Sequence, residues 1–343
     1  MRQTSFRRRA LSIAGIAAAA ALTLSSCSSA PAEEKGDAGA ETVETVNIGI
    51  SQLVQHPALD AATEGFKQAF FDAGYVDEDT VTFDFQNANG EQSTAVTIAQ
   101  SFGASDLDLV LAVATPAAQA AAQAILDKPV LFTAVTDAVA AELVDSNEEP
   151  GGNVTGTVDA VPADALTKQL ELVKEFNPDA KKVGIVYASG EVNSEVQVKA
   201  AQEVAKDLGL EIVTKTVTTA NDIAQATEAL GDVDAIYVPT DNMVVSGIAS
   251  LVQVAEKSKT PVIGAEPGTV EGGAVATYGI DYFKLGKQTG EMAIRVLEGA
   301  DPATTPVETP SELSYVVNPA AAERMGVEIP KELLDQATIV ESK

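Results

Sequence analysis

Short polar segments follow several runs of β-forming residues, and their side chains are the best suited in this chain to bind a small molecule. The candidates are Ser51, Gln52, Thr115, Thr136, Asp137, Asn193, Ser194, Asp241, Asn242 and Glu266. Hydroxyl and amide groups at a helix N-terminus can bind a carboxylate, and a buried carboxylate can bind an ammonium group. The same residue types also cap helices, which explains any single segment equally well. Their recurrence after six predicted strands favours a binding cleft.

The sequence contains no recognisable catalytic arrangement. His56 is the only histidine, and its place before Pro57 fits a helix cap or the rim of a cleft better than a general base, with a ligand contact as the other option. There is no G-x-x-x-x-G-K-[ST] loop, and no G-x-G-x-x-G follows the first predicted strand. One cysteine and one histidine exclude an intramolecular disulfide and a multi-histidine metal site. We therefore expect no enzyme activity, no cofactor and no metal, which argues against a secreted hydrolase.

The candidate segments are positioned by an alternation of strands and helices that occurs twice. The first half predicts strands at 45–50, 81–85, 107–113 and 129–132, and helices at 58–74, 93–103 and from Thr115 onward. The second half predicts strands at 182–187, 211–216, 235–238 and 261–263, and helices at 194–208, 223–230 and 244–258. The glycine-rich residues 150–156 predict a tight turn. This alternation predicts an α/β fold of two doubly wound parallel-sheet lobes, in which a ligand binds at the carboxyl ends of the strands.

Length and charge narrow the class of protein. The 343 residues suffice for two domains, and 45% of them are hydrophobic, which is enough for two cores. Lys and Arg number 22 against 50 Asp and Glu, a formal net charge of −28. Such a field repels nucleic acid and anionic lipid headgroups, so we expect neither as a primary partner.

The N-terminus is typical of an export signal. Residues 1–26 combine four arginines with an apolar run at 10–24 that is too short to predict a membrane-spanning helix. The run ends in Leu-Ser-Ser-Cys, which resembles a bacterial lipobox and implies cleavage before Cys27 and lipidation of that cysteine. An ordinary secretory signal beside a stray cysteine is the alternative. Residues 27–43 are small, polar and acidic and predict a flexible tether, so we expect an exported protein anchored to the outer face of the membrane by lipid.

Four segments together resemble a known family. They are residues 50–60 (ISQLVQHPALD), 132–137 (FTAVTD), 189–194 (SGEVNS) and 278–286 (YGIDYFKLG). The combination resembles the substrate-binding lipoproteins of ABC transporters of the tryptophan/tyrosine-binding type. The family often has proline after the Asp of the second segment, whereas Ala138 follows Asp137 here. The resemblance implies a type I periplasmic-binding-protein fold, in which two lobes joined by a three-segment hinge close over a small molecule.

This resemblance also implies boundaries and partners. Lobe 1 is expected at 44–160 plus 281–313, and lobe 2 at 161–280 plus 314–343. Asp281, at the second crossing, is a further candidate to face the cleft. The implied partners are a permease and an ATPase, with the binding protein itself a monomer.

For an amino-acid ligand we expect some candidates to bind its carboxylate and others to bind its ammonium group. Asn193 and Ser194 are the first choice to hold the carboxylate, with Ser51 and Thr115 next. The ammonium group needs a buried carboxylate, for which Asp241, Glu266 and Asp281 are the candidates. No apolar side-chain pocket is evident, so aromatic selectivity stays open. A lipid-anchored sensor or interaction protein of the same fold, and a receptor for a sugar or nucleoside, are the alternatives.

Overall fold

In the computed structural model, which describes residues 45–160, 162–310 and 312–340, the first half of the chain builds a parallel sheet. Its strands are β1 (Val46–Gln52), β2 (Val81–Asn87), β3 (Leu109–Val113), β4 (Val130–Val135) and β5 (Val154–Val158), in the spatial order β2-β1-β3-β4-β5. The helices between them are α1 (Pro57–Asp72), α2 (Gln92–Ala104) and α3 (Thr115–Ala124). Every residue of β3, β4 and β5 is buried, as expected of parallel strands covered on both faces.

The second half repeats this order and extends it. Its elements are α4 (Ala163–Phe176), β6 (Lys182–Ala188), α5 (Val192–Asp207), β7 (Glu211–Val217), α6 (Ile223–Glu228), β8 (Ala235–Val238), α7 (Asn242–Ser246), α8 (Ile248–Ser258), β9 (Val262–Gly264), α9 (Pro267–Glu271) and β10 (Ala276–Ile280). The last elements are α10 (Tyr282–Leu297), β11 (Leu313–Val317), α11 (Pro319–Met325), α12 (Lys331–Leu334) and β12 (Thr338–Ile339). The second sheet has the order β7-β6-β8-β9-β10-β11-β12. Its β10–β11 pair is antiparallel, which departs from the prediction of purely parallel sheets.

Each sheet has its own hydrophobic core, and we call each sheet with its packed helices a lobe. The chain passes between the lobes three times: from β5 to α4, from β10 to α10, and from α10 to β11. Helix α4 packs against β9 and β10, whereas α10 packs on α1 and against β4 and β5. The predicted α/β fold with two doubly wound lobes is therefore confirmed. The predictions for residues 1–26, Cys27 and the tether to residue 43 lie outside the described residues.

Three predictions from local sequence are wrong. Residues 150–156, predicted as a tight turn, contain the start of β5, and β4 extends to Val135, three residues beyond the end of the predicted strand 129–132. Pairing with β4 overrides the weak strand propensity of glycine. Gly156 is needed there, because a Cβ at this position would overlap the backbone of Phe132. The predicted helix 244–258 is instead interrupted at Gly247, and α4 and α9 were not predicted.

The second crossing is fixed to the first lobe by close helix packing. Gly286 and Gly290 on α10 face the backbone of Ala62 and Phe66 on α1. A Cβ on Gly286 would overlap the carbonyl oxygen of Ala62, so glycine allows the two helix backbones to approach. This contact places Tyr282, the first residue of α10, at the boundary between the lobes.

Candidate functional site

The carboxyl ends of the strands of both sheets line one cleft between the lobes. Its wider part has an empty volume of about 1230 Å³, which includes space open to solvent. It is lined from the first lobe by residues such as Leu53 and Pro116 and from the second by residues such as Glu191 and Met243. The lobes touch across it where the hydroxyls of Thr136 and Thr240 lie 3.2 Å apart. The side-chain amide of Gln92 also donates to the carbonyl of Gly190 over 3.3 Å.

A smaller cavity lies deeper, beside the crossings between the lobes. The empty space between its walls is about 260 Å³, but only about 10 Å³ of it can hold the centre of a water molecule, so the cavity fits one water-sized group. Its walls are His56, Ala58, Leu59, Ala134, Asp159, Thr240, Asn242, Val245, Glu266 and Tyr282. Asn242 lines both this cavity and the wider cleft, so the two spaces adjoin each other.

In the second lobe, two of the predicted ligand groups are already engaged within the protein. The Asp241 carboxylate accepts hydrogen bonds from the backbone nitrogens of Ala188 (2.6 Å) and Val244 (2.8 Å), and from the hydroxyl of Ser194 (2.6 Å). Asp241 is fully buried and caps α7. Its oxygens therefore hold loops in place, and the Ser194 hydroxyl donates to Asp241 rather than to a ligand carboxylate.

Glu191, which the sequence analysis did not single out, organises the same loops. Its carboxylate accepts from the side-chain nitrogens of Asn193 (2.9 Å) and Asn242 (2.6 Å), and from the backbone nitrogens of Asn242 and Met243 at 3.1 Å each. Burial, with the charge of Asp241 nearby, raises the pKa of Glu191 to about 7. The only sequence signal was its place in the SGEVNS segment.

Asn193 offers an acceptor rather than a donor. Its amide nitrogen donates to Glu191 and to the carbonyl of Thr240 (2.9 Å), which fixes the orientation of the amide. Its side-chain oxygen, Oδ1, is buried and has no hydrogen-bond partner among the described residues. This free acceptor matches a donor of a ligand, not the carboxylate we expected it to bind.

The first lobe presents free donors at the edge of its sheet. Ser51 Oγ, Thr115 Oγ1 and the Nδ2 atom of Asn87 are buried, with no partner in the part of the chain that the structure describes. Thr115 begins α3, where the preceding residue, Ala114, has φ +82° and provides no side-chain cap. Strained backbone of this kind is concentrated at ligand sites. Ser51, Thr115 and the α3 N-terminus together can receive an anion.

The other first-lobe candidates are engaged more locally. Gln52 donates to Val54 and Asp60 and accepts from Thr63, so it holds the β1–α1 connection. The carboxylate of Asp137 caps the turn that follows it, through the backbone nitrogens of residues 139 and 140. Thr136 reaches across the cleft to Thr240, as described above.

Glu266 and Asp159 are the free acids of the deeper cavity. Glu266 is 2% exposed and its Oε2 accepts from the backbone nitrogen of Gly268, whereas Oε1 has no partner within the described residues. Asp159 is 3% exposed and its Oδ2 accepts from the hydroxyl of Tyr282 over 2.7 Å. Burial raises the pKa of Glu266 to about 7. Burial also raises the pKa of Asp159, although hydrogen bonding to the hydroxyls of Tyr282 and Thr136 lowers it in part.

His56 stands at the N-cap of α1, but its side chain forms no cap. The imidazole is buried beside Asn242, and neither ring nitrogen makes a hydrogen bond of normal geometry with a described residue. Burial lowers the pKa of His56 to about 4, although the Asn242 amide opposes the shift. The ring is therefore neutral at physiological pH and lies in the wall of the deeper cavity.

Asp281 does not belong to the cleft. Its side chain is exposed and caps α10 through the backbone nitrogen of Lys284 (3.1 Å). It lines a surface depression with residues such as Gln288 and Glu312. The expectation that Asp281 faces the cleft is wrong, because the carboxylate turns toward the start of its own helix.

Comparisons with known proteins agree on the kind of protein. The family model described as ABC transporter substrate binding protein matches residues 47–341. A tyrosine-binding protein from Clostridioides difficile is 48% identical over 273 residues, which are 79% of this chain and 78% of that protein. Among solved structures, an ABC domain from Streptococcus pneumoniae in complex with L-Trp is 39% identical, with a TM-score of 0.82 over 87% of this chain and 100% of that one.

A further solved relative has a lower structural similarity. A ligand-free, open substrate-binding protein from Clostridium difficile, described as having adhesive properties, is 44% identical over 87% of this chain and 100% of its own. Its TM-score is only 0.66, although its identity exceeds that of the L-Trp complex. The present structure thus resembles the complex more closely than the open form.

In the described ranges, no helix has both the length and the apolarity to cross a membrane.

Proposed function

The chain belongs to the family of ABC transporter substrate-binding proteins, and from that membership we propose that it captures an aromatic amino acid between its lobes. Proteins of this family are extracytoplasmic solute receptors rather than enzymes, and they deliver their ligand to an ABC transporter. The relatives described above bind tyrosine or carry L-Trp, which makes L-tyrosine and L-tryptophan the first ligands to examine here.

The observation that carries this proposal is that the unpaired hydrogen-bond donors and the unpaired acceptors lie on different sides of the cleft. The free donors, such as Ser51 and Thr115, lie on the first lobe. The free acceptors are Asn193 and Glu266 on the second lobe and Asp159 at the hinge. An α-amino acid carries the complementary pair, a carboxylate and an ammonium group on one carbon. Closing the lobes over such a zwitterion would satisfy both sets at once.

The wider cleft offers room for the side chain of the ligand. Its apolar walls include Leu53, Val54, Pro116, Val217 and Met243. An aromatic ring placed there would bury a large apolar area, and methionine adapts readily to flat rings. We assign the ring of the ligand to this part of the cleft and its zwitterionic end to the deeper part.

The remaining expectations from sequence stand as parts of the same proposal. Lobe 1 comprises 44–160 plus 281–313, and lobe 2 comprises 161–280 plus 314–343. A lipid on Cys27 anchors the monomeric receptor to the outer face of the cell membrane, where it meets its permease and ATPase.

A thermal-shift screen followed by calorimetry tests the ligand class. The purified protein is titrated with the twenty amino acids, a set of sugars and a set of nucleosides. We expect L-tyrosine or L-tryptophan to raise the melting temperature most, since a ligand that binds only the folded state stabilises it by mass action. A sugar or nucleoside that binds while no amino acid does would refute the proposed ligand class.

The anchor is tested separately. Full-length protein is expressed in a bacterial host, and its membrane fraction is compared with that of Cys27→Ala. We expect labelled fatty acid in the wild type only, with the variant released from the membrane. Unlabelled wild type that is secreted in soluble form would support the ordinary secretory signal instead.

A further inference from the structure

The deeper cavity is lined by residues from two of the three crossings between the lobes, which form the hinge. Asp159 follows β5 at the first crossing, and Tyr282 begins α10 at the second. The 2.7 Å hydrogen bond from the Tyr282 hydroxyl to Asp159 joins these two crossings. Glu266 reaches the same cavity from the second lobe, at the start of α9.

The charges around this cavity are unbalanced. Asp159 Oδ1 and Glu266 Oε1 are buried, and neither makes a hydrogen bond of normal geometry within the described chain. His56 is the one basic side chain among the residues that line the cavity, and it is neutral because burial lowers its pKa to about 4. Two buried acids with no cation from the protein lower the stability of the folded state when they ionise, unless a positive group binds beside them.

The geometry points to Asp159 and Glu266 as the joint seat of the ligand's ammonium group, with Asp159 linking ligand capture to the hinge. This inference rests on the proposed function, because it assigns one end of the amino-acid ligand. It adds a residue, Asp159, that follows β5, a strand that the sequence pattern did not predict.

The strand order supports the required spacing. Thr115 follows β3 and Asp159 follows β5, and only β4 lies between these strands in the first sheet. Neighbouring strands are about 4.8 Å apart, so the side chains of Thr115 and Asp159 flank a space roughly two strands wide. A carboxylate at Thr115 and an ammonium group at Asp159 can therefore belong to one α-amino acid placed over the end of β4.

The two lobes supply a natural contrast. Asp159 follows β5, the fifth strand of the first sheet, and Asp281 follows β10, which has the matching place in the second. Asp281 is exposed and caps α10, whereas Asp159 is buried and keeps one oxygen free. An ammonium group shared by Asp159 and Glu266 would tie the hinge to the second lobe, which would hold the cleft closed while the ligand is bound.

Calorimetry with a matched pair of ligands tests this inference. The dissociation constants of L-tyrosine and of 3-(4-hydroxyphenyl)propanoate, which lacks the ammonium group, are compared for the wild type, Asp159→Asn and Glu266→Gln. A hydrogen-bonded charge contributes enough that each variant should bind L-tyrosine about 10- to 100-fold more weakly. Binding of the deaminated acid should change little, so the preference of the wild type for L-tyrosine should collapse in both variants.

The control is Asp281→Asn, which should bind L-tyrosine within about twofold of the wild type because its carboxylate faces solvent. Tyr282→Phe removes the hydroxyl that positions Asp159, and it should lower the preference for L-tyrosine partway. This partial loss is a readout that a purely structural role would not give.

Some outcomes would overturn the inference. Folded Asp159→Asn and Glu266→Gln that keep the wild-type preference would place the ammonium group elsewhere, and the proposed function would stand. If those variants do not fold, equal affinity of the wild type for both ligands, or an unchanged preference in Tyr282→Phe, would overturn it too. Failure of the wild type to bind any aromatic amino acid would instead refute the proposed function.

Discussion

Glu191 and Asp241 lie in adjacent loops of the second lobe, and each carboxylate accepts backbone hydrogen bonds from the other's loop. Glu191 binds the amides of Asn242 and Met243, while Asp241 binds the amide of Ala188, at the end of the strand that leads to Glu191. The two acids therefore hold both loops as one unit. That unit carries Asn193 and Asn242 to the cleft in a fixed orientation, so the lobe presents a preorganised surface to a ligand.

Removing Glu191 should destabilise the protein. In Glu191→Ala the buried amides of Asn242 and Met243 lose their acceptor, and we expect the free energy of unfolding to fall by about 2–4 kcal/mol. Urea denaturation measures this change. Glu203→Ala is the control, because its ion pair with Lys206 is exposed and should contribute less than about 0.5 kcal/mol. A small effect at Glu191 would mean that the loops do not depend on it.

The stability of the ligand-free protein should fall as the pH rises from about 4.5 to about 7. Burial raises the pKa of both Glu191 and Glu266 from an ordinary value of 4.5 to about 7, so in this window the folded state binds more protons than the unfolded state. Raising the pH removes those protons, at a cost on the order of 1–3 kcal/mol. Urea denaturation at several pH values measures the slope. Glu266→Gln should reduce it, and an unchanged slope would contradict this assignment.

Ligand affinity should show the opposite trend. A bound ammonium group favours the ionised form of Glu266, so binding releases a proton and L-tyrosine should bind more tightly as the pH rises from about 5.5 to 7.5. The titratable groups that face Glu266 are Asp159, Glu271, Tyr282 and the neutral His56. Calorimetry in two buffers of different ionisation enthalpy counts the protons released. Glu266→Gln should show a shallower pH dependence over this range, because Asp159 is then the remaining acid of the pair whose raised pKa the ammonium group would lower. An equally steep profile in that variant would assign the proton to another group.

The hydroxyl contact between Thr136 and Thr240 should stabilise the closed form. Thr136→Val and Thr240→Val each remove one neutral hydrogen bond between the lobes, so the dissociation constant for L-tyrosine should rise about 2- to 10-fold. The double variant should bind no more weakly than Thr136→Val alone, because the interaction with Thr240 is already lost in that variant. Fully additive losses would show that the two hydroxyls act independently.

Packing between α1 and α10 should be sensitive to one methyl group. Gly286→Ala places a Cβ against the carbonyl of Ala62, and the gain in helix propensity, at most about 1 kcal/mol, does not offset this overlap. We expect a net loss of about 1–3 kcal/mol in the free energy of unfolding. Glu291→Ala, at an exposed position of the same helix, should change it by less than about 0.5 kcal/mol. Thermal and urea denaturation of both variants measure these changes in the free energy of unfolding.

The sequence by itself determined the architecture and the general place of the site. Periodic runs of apolar residues separated by capping residues predict each lobe, because helix and strand periods are local properties of the chain. Ser51, Thr115 and Glu266 could be named in advance because parallel strands all deliver their carboxyl ends to one edge. The segments that carry the resemblance indicated the family.

Only the tertiary structure decided which polar groups are free to bind a ligand. Ser194 and Asp241 satisfy each other over a separation of 47 residues, and the hydroxyl that holds Asp159 comes from Tyr282, 123 residues away. A local sequence pattern cannot distinguish a capping carboxylate from a free one, since both use the same residue types at the same loop positions. The difference depends on burial and on partners distant in the chain, and those arise only when the two sheets and the crossings between them are assembled.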